Sequence, residues 1–127
     1  MTPYDARLSA LHEKLLRKRQ LCAERNELNA QLSQLQETER RLRSIRTAEQ
    51  EDVDKLQRVS LSSLFYSIVS QKEEKLAKEQ AEAYAAAVKH DAAIQQCRMV
   101  EQRLLSVETE LQTLSTTERE YEETLAQ

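Results

Sequence analysis

Not one glycine occurs in this chain of 127 residues, and its single proline stands at position 3. Average usage of about 7% Gly and 5% Pro would supply about fifteen such residues. Hairpins, bulges and tight sheet corners draw on Gly and Pro for backbone conformations that other residues reach only at a cost. Phosphate-cradling loops need Gly so that the backbone can approach the ligand closely. Sheet-rich folds and nucleotide-binding loops are therefore excluded, and a protein of long helices remains. Of the 39% of residues that are hydrophobic, 14 residues are Ala, so a narrow seam between helices is a better use of the apolar surface than a thick core.

The formal net charge of −3 gives no general attraction to nucleic acid or anionic lipid. Cys22 and Cys97 are the two cysteines, and without CxxC spacing they point to a reducing compartment and no disulfide framework. The opening Met1-Thr2-Pro3-Tyr4-Asp5 lacks the basic and then apolar stretch of a signal peptide. No apolar run approaches the roughly 20 residues needed to span a bilayer. The expectation is a soluble, cytoplasmic chain.

Leu21, Leu28, Leu35, Leu42 and Leu56 recur every seven residues, with Glu49 at the missing step. A second register, three residues before each, holds Leu11, Leu32 and Val53 but also Lys18, Arg25, Glu39 and Arg46. Together they form the alternating 3,4 spacing of a coiled-coil seam with good d positions and poor a positions. Nothing stops a helix between Asp5 and Leu56, which predicts a first helix over about 5–57. Leu8, Leu15, Leu16 and Leu105 sit off a two-helix seam, and a four-helix assembly would bury them.

The second half repeats the pattern through Cys97, Val100, Leu104, Val107, Leu111, Leu114, Tyr121 and Leu125, with Glu118 out of place. Upstream the same frame passes through Leu76, Ala83, Ala86, His90 and Ala93. Small side chains here let a partner helix approach closely. The prediction is a helix over about 71–125.

Between the arms, residues 60–70 are rich in serine, uncharged and contain the only Phe. Leu61, Leu64, Phe65, Ile68 and Val69 follow i, i+3, i+4, i+7, i+8, one apolar face of a short helix. Ser60 serves as an N-cap, and Ser70 with Glu73 reads as a capping box. A break at about 57–60 and a tip over 58–70 with a short helix at 61–69 follow. The frame of the second helix also continues upstream through Lys72, Val69 and Phe65, so a single helix over 61–125 with a turn at 57–60 is the competing reading.

Charge favours the separate tip. Residues 7–25 carry six Lys or Arg against two Glu, and residues 101–127 carry two Arg against seven Glu. Folding the chain near residue 64 sets Arg7, Lys14, Arg17, Lys18 and Arg19 beside Glu108, Glu110, Glu118, Glu120, Glu122 and Glu123. Basic residues near a helix N-terminus oppose the macrodipole, so this distribution suits pairing between helices, where several charge pairs set orientation and register. The fold class expected is all-α: a long antiparallel two-helix coiled-coil hairpin with a short amphipathic tip helix.

His12 and His90 lie far apart in such a hairpin, and a metal site needs three or four convergent ligands. His90 and Cys97 read as seam residues and Cys22 as a seam-edge residue; no catalytic, cofactor or metal residue is expected. Glu51, Asp52 and Asp54, and Glu118 to Glu123, lack the looping Gly of a calcium site and read as solvated faces. The basic runs at 14–19 and 40–46 are interrupted by glutamates and lack stacking aromatics, which disfavours nucleic acid. Two helices alone build no concave pocket for an enzyme. Leu61, Leu64, Phe65, Ile68 and Val69 exceed what a two-helix seam covers, so they are the expected contact surface, for a second copy or another protein.

Asp52-Val53-Asp54-Lys55-Leu56, Leu61-Ser62-Ser63-Leu64-Phe65-Tyr66-Ser67-Ile68 and Lys72-Glu73-Glu74-Lys75-Leu76 with Lys78-Glu79 resemble a group of small uncharacterised bacterial coiled-coil proteins over residues 52–79. The resemblance implies a bacterial cytoplasmic coiled coil and carries no activity. In general shape the expected hairpin is also similar to hairpin subunits of secretion and export stalks, an architectural analogy. The function expected is non-enzymatic: a structural or scaffolding protein that self-associates as a homodimer or higher helical bundle. The alternatives are a chaperone-like hairpin that holds a client protein and a peripheral membrane contact through the tip, the latter disfavoured because the tip lacks Lys and Arg.

Overall fold

The structure, a computed structural model, describes the backbone of residues 2–62 and 66–126, and their side chains except at 59–62, 66–72, 117 and 118. It is all-α, with helices α1 (Pro3–Ser62), α2 (Tyr66–Thr113) and α3 (Thr117–Ala126), and the two long helices pack against each other. Among the described residues no helix is long and apolar enough to cross a membrane.

Local chemistry starts α1 at the proline. The Thr2 hydroxyl accepts from the Asp5 backbone N–H at 3.1 Å, and the Asp5 carboxylate accepts in turn from the Thr2 hydroxyl at 2.8 Å and the Thr2 N–H at 3.3 Å. This reciprocal cap satisfies donors that a helix start leaves unpaired. Pro3 then occupies the first helical position, where its missing N–H costs nothing; it opens the helix and does not merely precede it. From there Leu, Gln, Glu, Arg and Ala, all good helix formers, carry α1 for 60 residues. Residues 57–60, where a break is expected, are helical, and α2 is helical from residue 66. The three residues between, 63–65, lie outside the described residues. Serine favours caps but is tolerated inside a helix, so Ser60 does not by itself end one.

A second difference lies near the C-terminus. The expected helix to 125 stops at Thr113 and resumes at Thr117. Leu114 N–H bonds the carbonyl of Leu111 at 3.1 Å and Ser115 N–H that of Gln112 at 3.2 Å, the tighter i to i+3 pattern. Thr113 turns its hydroxyl onto the Glu110 carbonyl at 2.7 Å, the local competition with backbone pairing typical of such residues. The tighter turn advances the chain by about 20° more per residue than an α-helix. The seam accordingly slips by one position: Thr124 is fully buried and Leu125, the expected seam residue, is 52% exposed.

The chain divides into two compact units, residues 1–33 with 99–127 and residues 34–98. In the first, Leu11 and Leu21 of α1, Leu104 and Val107 of α2 and Thr124 of α3 are buried. Leu8 and Leu15, read as off the seam, are half-buried. Spacing explains it: Leu8, Leu11, Leu15, Lys18 and Leu21 step by 3, 4, 3 and 3, a local irregularity that moves the stripe around the helix. Leu16 and Leu105 are exposed as read. In the second unit the buried residues, among those described, are Val53 of α1 with Ala83, Ala86, His90, Ala93 and Cys97 of α2, which follow the frame read from the sequence.

Candidate functional site

Of the expected contact residues, Leu64 and Phe65 lie outside the described residues, and so do the side chains of Leu61, Ile68 and Val69. The arrangements that the structure does describe are polar ones on the helix seams.

In the first unit, Arg17 of α1 pairs with Glu110 of α2 through two bonds of 3.0 and 3.2 Å, and Arg103 of α2 pairs with Glu24 of α1 through bonds of 2.6 and 2.9 Å. Arg17 with Glu110 is one of the pairings that the charge distribution suggests. Each carboxyl is held below its ordinary range, chiefly by the hydrogen bond from its arginine and against some desolvation. Both pairs are about half exposed, so they direct pairing more than they stabilise it. A groove beside them is lined by Lys18, Cys22, Arg25, Glu108, Leu111 and Ser115, among others.

In the second unit, His90 is buried and engaged at both ring nitrogens. Its Nε2 lies 2.8 Å from Glu39 Oε1 and its Nδ1 lies 3.2 Å from a terminal nitrogen of Arg46. A guanidinium can only donate, so Nδ1 must accept and the ring proton resides on Nε2, donated to Glu39. The same Arg46 nitrogen donates to Asp91 at 3.0 Å, and Arg43 grips Glu39 through both its carboxylate oxygens. Hydrogen bonds from Arg43 first and His90 second hold the Glu39 carboxyl down at about 2, against the opposing effect of burial. Two arginines and two carboxylates around a neutral imidazole make the group electrically balanced.

One helical step further along the seam lies a group without that balance. Carboxylate oxygens of Glu49, Glu79 and Glu82 fall within 4.8 Å of one another, and Oε2 of Glu49 is buried with no hydrogen-bond partner. Burial, then the charges of Glu82, Glu79 and Asp52, push the Glu49 carboxyl above its ordinary value. Each of the three offers one oxygen to the group, fewer than the six to eight that calcium takes. The acidic groups singled out in the sequence, Glu51 with Asp52 and Asp54 and the run after Glu118, are not those that converge. The signal was in the heptads: Glu49 replaces a seam leucine, and Glu79 stands seven residues before Ala86 in the facing frame.

Outside the seams, Tyr84 is 75% exposed and Val88 50% in the second unit, and Met99 is 68% exposed in the first. Comparison with protein-family models, with curated proteins and with solved structures gives no match.

Proposed function

We propose that this chain is a non-enzymatic structural or scaffolding protein: an antiparallel coiled-coil hairpin that works through helix-to-helix contacts and associates with further copies of itself. The observation that carries the hairpin is the order of pairing. In the first unit Arg17 meets Glu110 and Glu24 meets Arg103. In the second Glu39 meets His90 and Glu49 meets Glu79 and Glu82. Positions rise along α1 as they fall along α2. This order favours a reversal near residue 64 over one at 59, which would pair Glu24 with residues near 95.

Self-association is supported by what the seams leave uncovered. Tyr84 and Val88 are one turn apart on α2 and both are exposed, and such pairs lie on one helix face. Leu61, Leu64, Phe65, Ile68 and Val69 remain the proposed contact at the tip. Light scattering is expected to give at least twice the 14.8 kDa chain mass, and the combined substitutions Leu64→Ser, Phe65→Ser, Tyr84→Ser and Val88→Ser are expected to reduce it to one chain. A wild-type chain that is monomeric at every concentration contradicts self-association. The second reading, a hairpin that holds a client protein, draws on the exposed Met99, since flexible thioethers suit adaptable binding surfaces. It requires a client recovered with the wild type and lost on Met99→Ser.

A further inference from the structure

The second unit has a seam that is poor at fixing its own alignment. Ala86 and Ala93 are seven residues apart and both buried, so moving α2 by one heptad along α1 replaces one alanine with another. Apolar matching between small side chains does not tell these alignments apart.

His90 does. Glu39 and Arg46 are polar residues at successive a positions of α1, seven apart, the spacing of opposite corners of a hole in knobs-into-holes packing. His90 fills the place between them, donating from Nε2 to Glu39 and accepting at Nδ1 from Arg46. A one-heptad slip in one direction sets Cys97 in that place, and in the other direction Ala83. Neither offers a strong donor and a strong acceptor at once. Either slip leaves Glu39 with Arg43 as its side-chain partner and takes Arg46 from both His90 and Asp91, so the native alignment keeps bonds that a slipped one loses.

We propose that His90 is a register-determining residue of the second unit, acting as a neutral imidazole with its proton on Nε2 that bridges Glu39 and Arg46 and thereby disfavours one-heptad slips. Single polar residues at a positions set alignment in other coiled coils at some cost in stability. Here the polar group is distributed over both helices, with His90 answering Glu39 and Arg46 of α1 and Asp91 sharing Arg46. The inference rests on the helix pairing within this unit and not on self-association.

The test uses the full chain with Cys22→Ser and Cys97→Ala, and spin labels at Gln36→Cys and Gln80→Cys, both exposed positions of this unit. With His90 present, one label-to-label distance is expected. His90→Leu is expected to keep its helicity, since Glu39 keeps Arg43 and Arg46 keeps Asp91 as partners. It is expected to add a second distance population displaced by up to about 10 Å, the rise of seven residues. His90→Gln retains one donor and one acceptor and is expected to restore the single distance. A single unchanged distance in His90→Leu overturns the proposal. So does loss of helicity in that variant, because a residue whose role is alignment can be replaced without loss of the helices. Nitrogen NMR showing the neutral ring proton on Nδ1 overturns the assigned bridge.

Discussion

Truncating Leu21 to Ala is expected to destabilise the protein by about 3 kcal/mol, within the range of about 2–5 for buried leucines. Leu21 has no exposed surface. Among the described residues its unit draws on few other buried apolar side chains, namely Leu11, Leu104 and Val107. Removing three carbons from so narrow a seam forfeits both transfer free energy and contacts that neighbours cannot remake. Total stabilities are about 5–15 kcal/mol, so the midpoint of thermal unfolding is expected to fall by about 10 °C or more. Leu105→Ala is the control. That residue is 66% exposed, and surface changes of this kind stay within about 0.5 kcal/mol. Equal effects from the two substitutions contradict the seam as described.

The second large effect is a stability maximum below neutral pH. Glu49 has a raised carboxyl in the folded chain, so the folded state binds that proton more tightly than the unfolded state does. Its favourable contribution is complete below the ordinary carboxylate value of 4.5 and is lost as pH rises through the raised value. Cooling the charge of this cluster by mild acid therefore stabilises the second unit. Glu39 works in the opposite sense: its carboxyl is held at about 2, so its contribution is present above 4.5 and disappears as pH falls toward 2. Glu24 and Glu110, also lowered, add to that loss. Thermal melts between pH 7 and 3 are expected to rise first and then fall. Glu49→Leu is expected to melt higher than wild type at pH 7 and to lack the initial rise. A melting temperature that declines steadily from pH 7 downward in the wild type contradicts this account of the carboxylate group.

Much of the packing was legible in the heptads. Ala83, Ala86, His90, Ala93, Cys97, Leu104 and Val107 are all buried because the 3,4 spacing alone decides which stripe of α2 turns inward. What lay beyond reach depended on local competition or on the partner helix. The interruption at 114–116 arises where hydroxyl side chains and i to i+3 bonds displace the regular ladder, and periodicity counted across it places Leu125 inward in error. Ser60 looked like a cap because serine caps well, yet nothing in a serine compels a helix to stop.

The polar groups illustrate the second difficulty. His90 read as an ordinary seam residue because its partners, Glu39 and Arg46, stand 51 and 44 residues away and meet it only in one alignment. Glu49 read as a gap in a leucine row. Its meaning appears only when Glu79, a gap in the other row, falls beside it. Polar positions in a seam are weak signals one helix at a time and strong ones in pairs.

The order of pairing between α1 and α2 is the claim on which the rest depends, and cross-linking within one chain tests it most directly. In a Cys22→Ser and Cys97→Ala background, Glu24→Cys with Arg103→Cys places thiols where the structure pairs the side chains at 2.6 Å. A short bismaleimide is expected to bridge them within a single chain at high yield, and to leave Glu24→Cys with Gln95→Cys largely unbridged. The reverse preference, with residue 95 captured and residue 103 not, contradicts the pairing and moves the reversal toward residue 59.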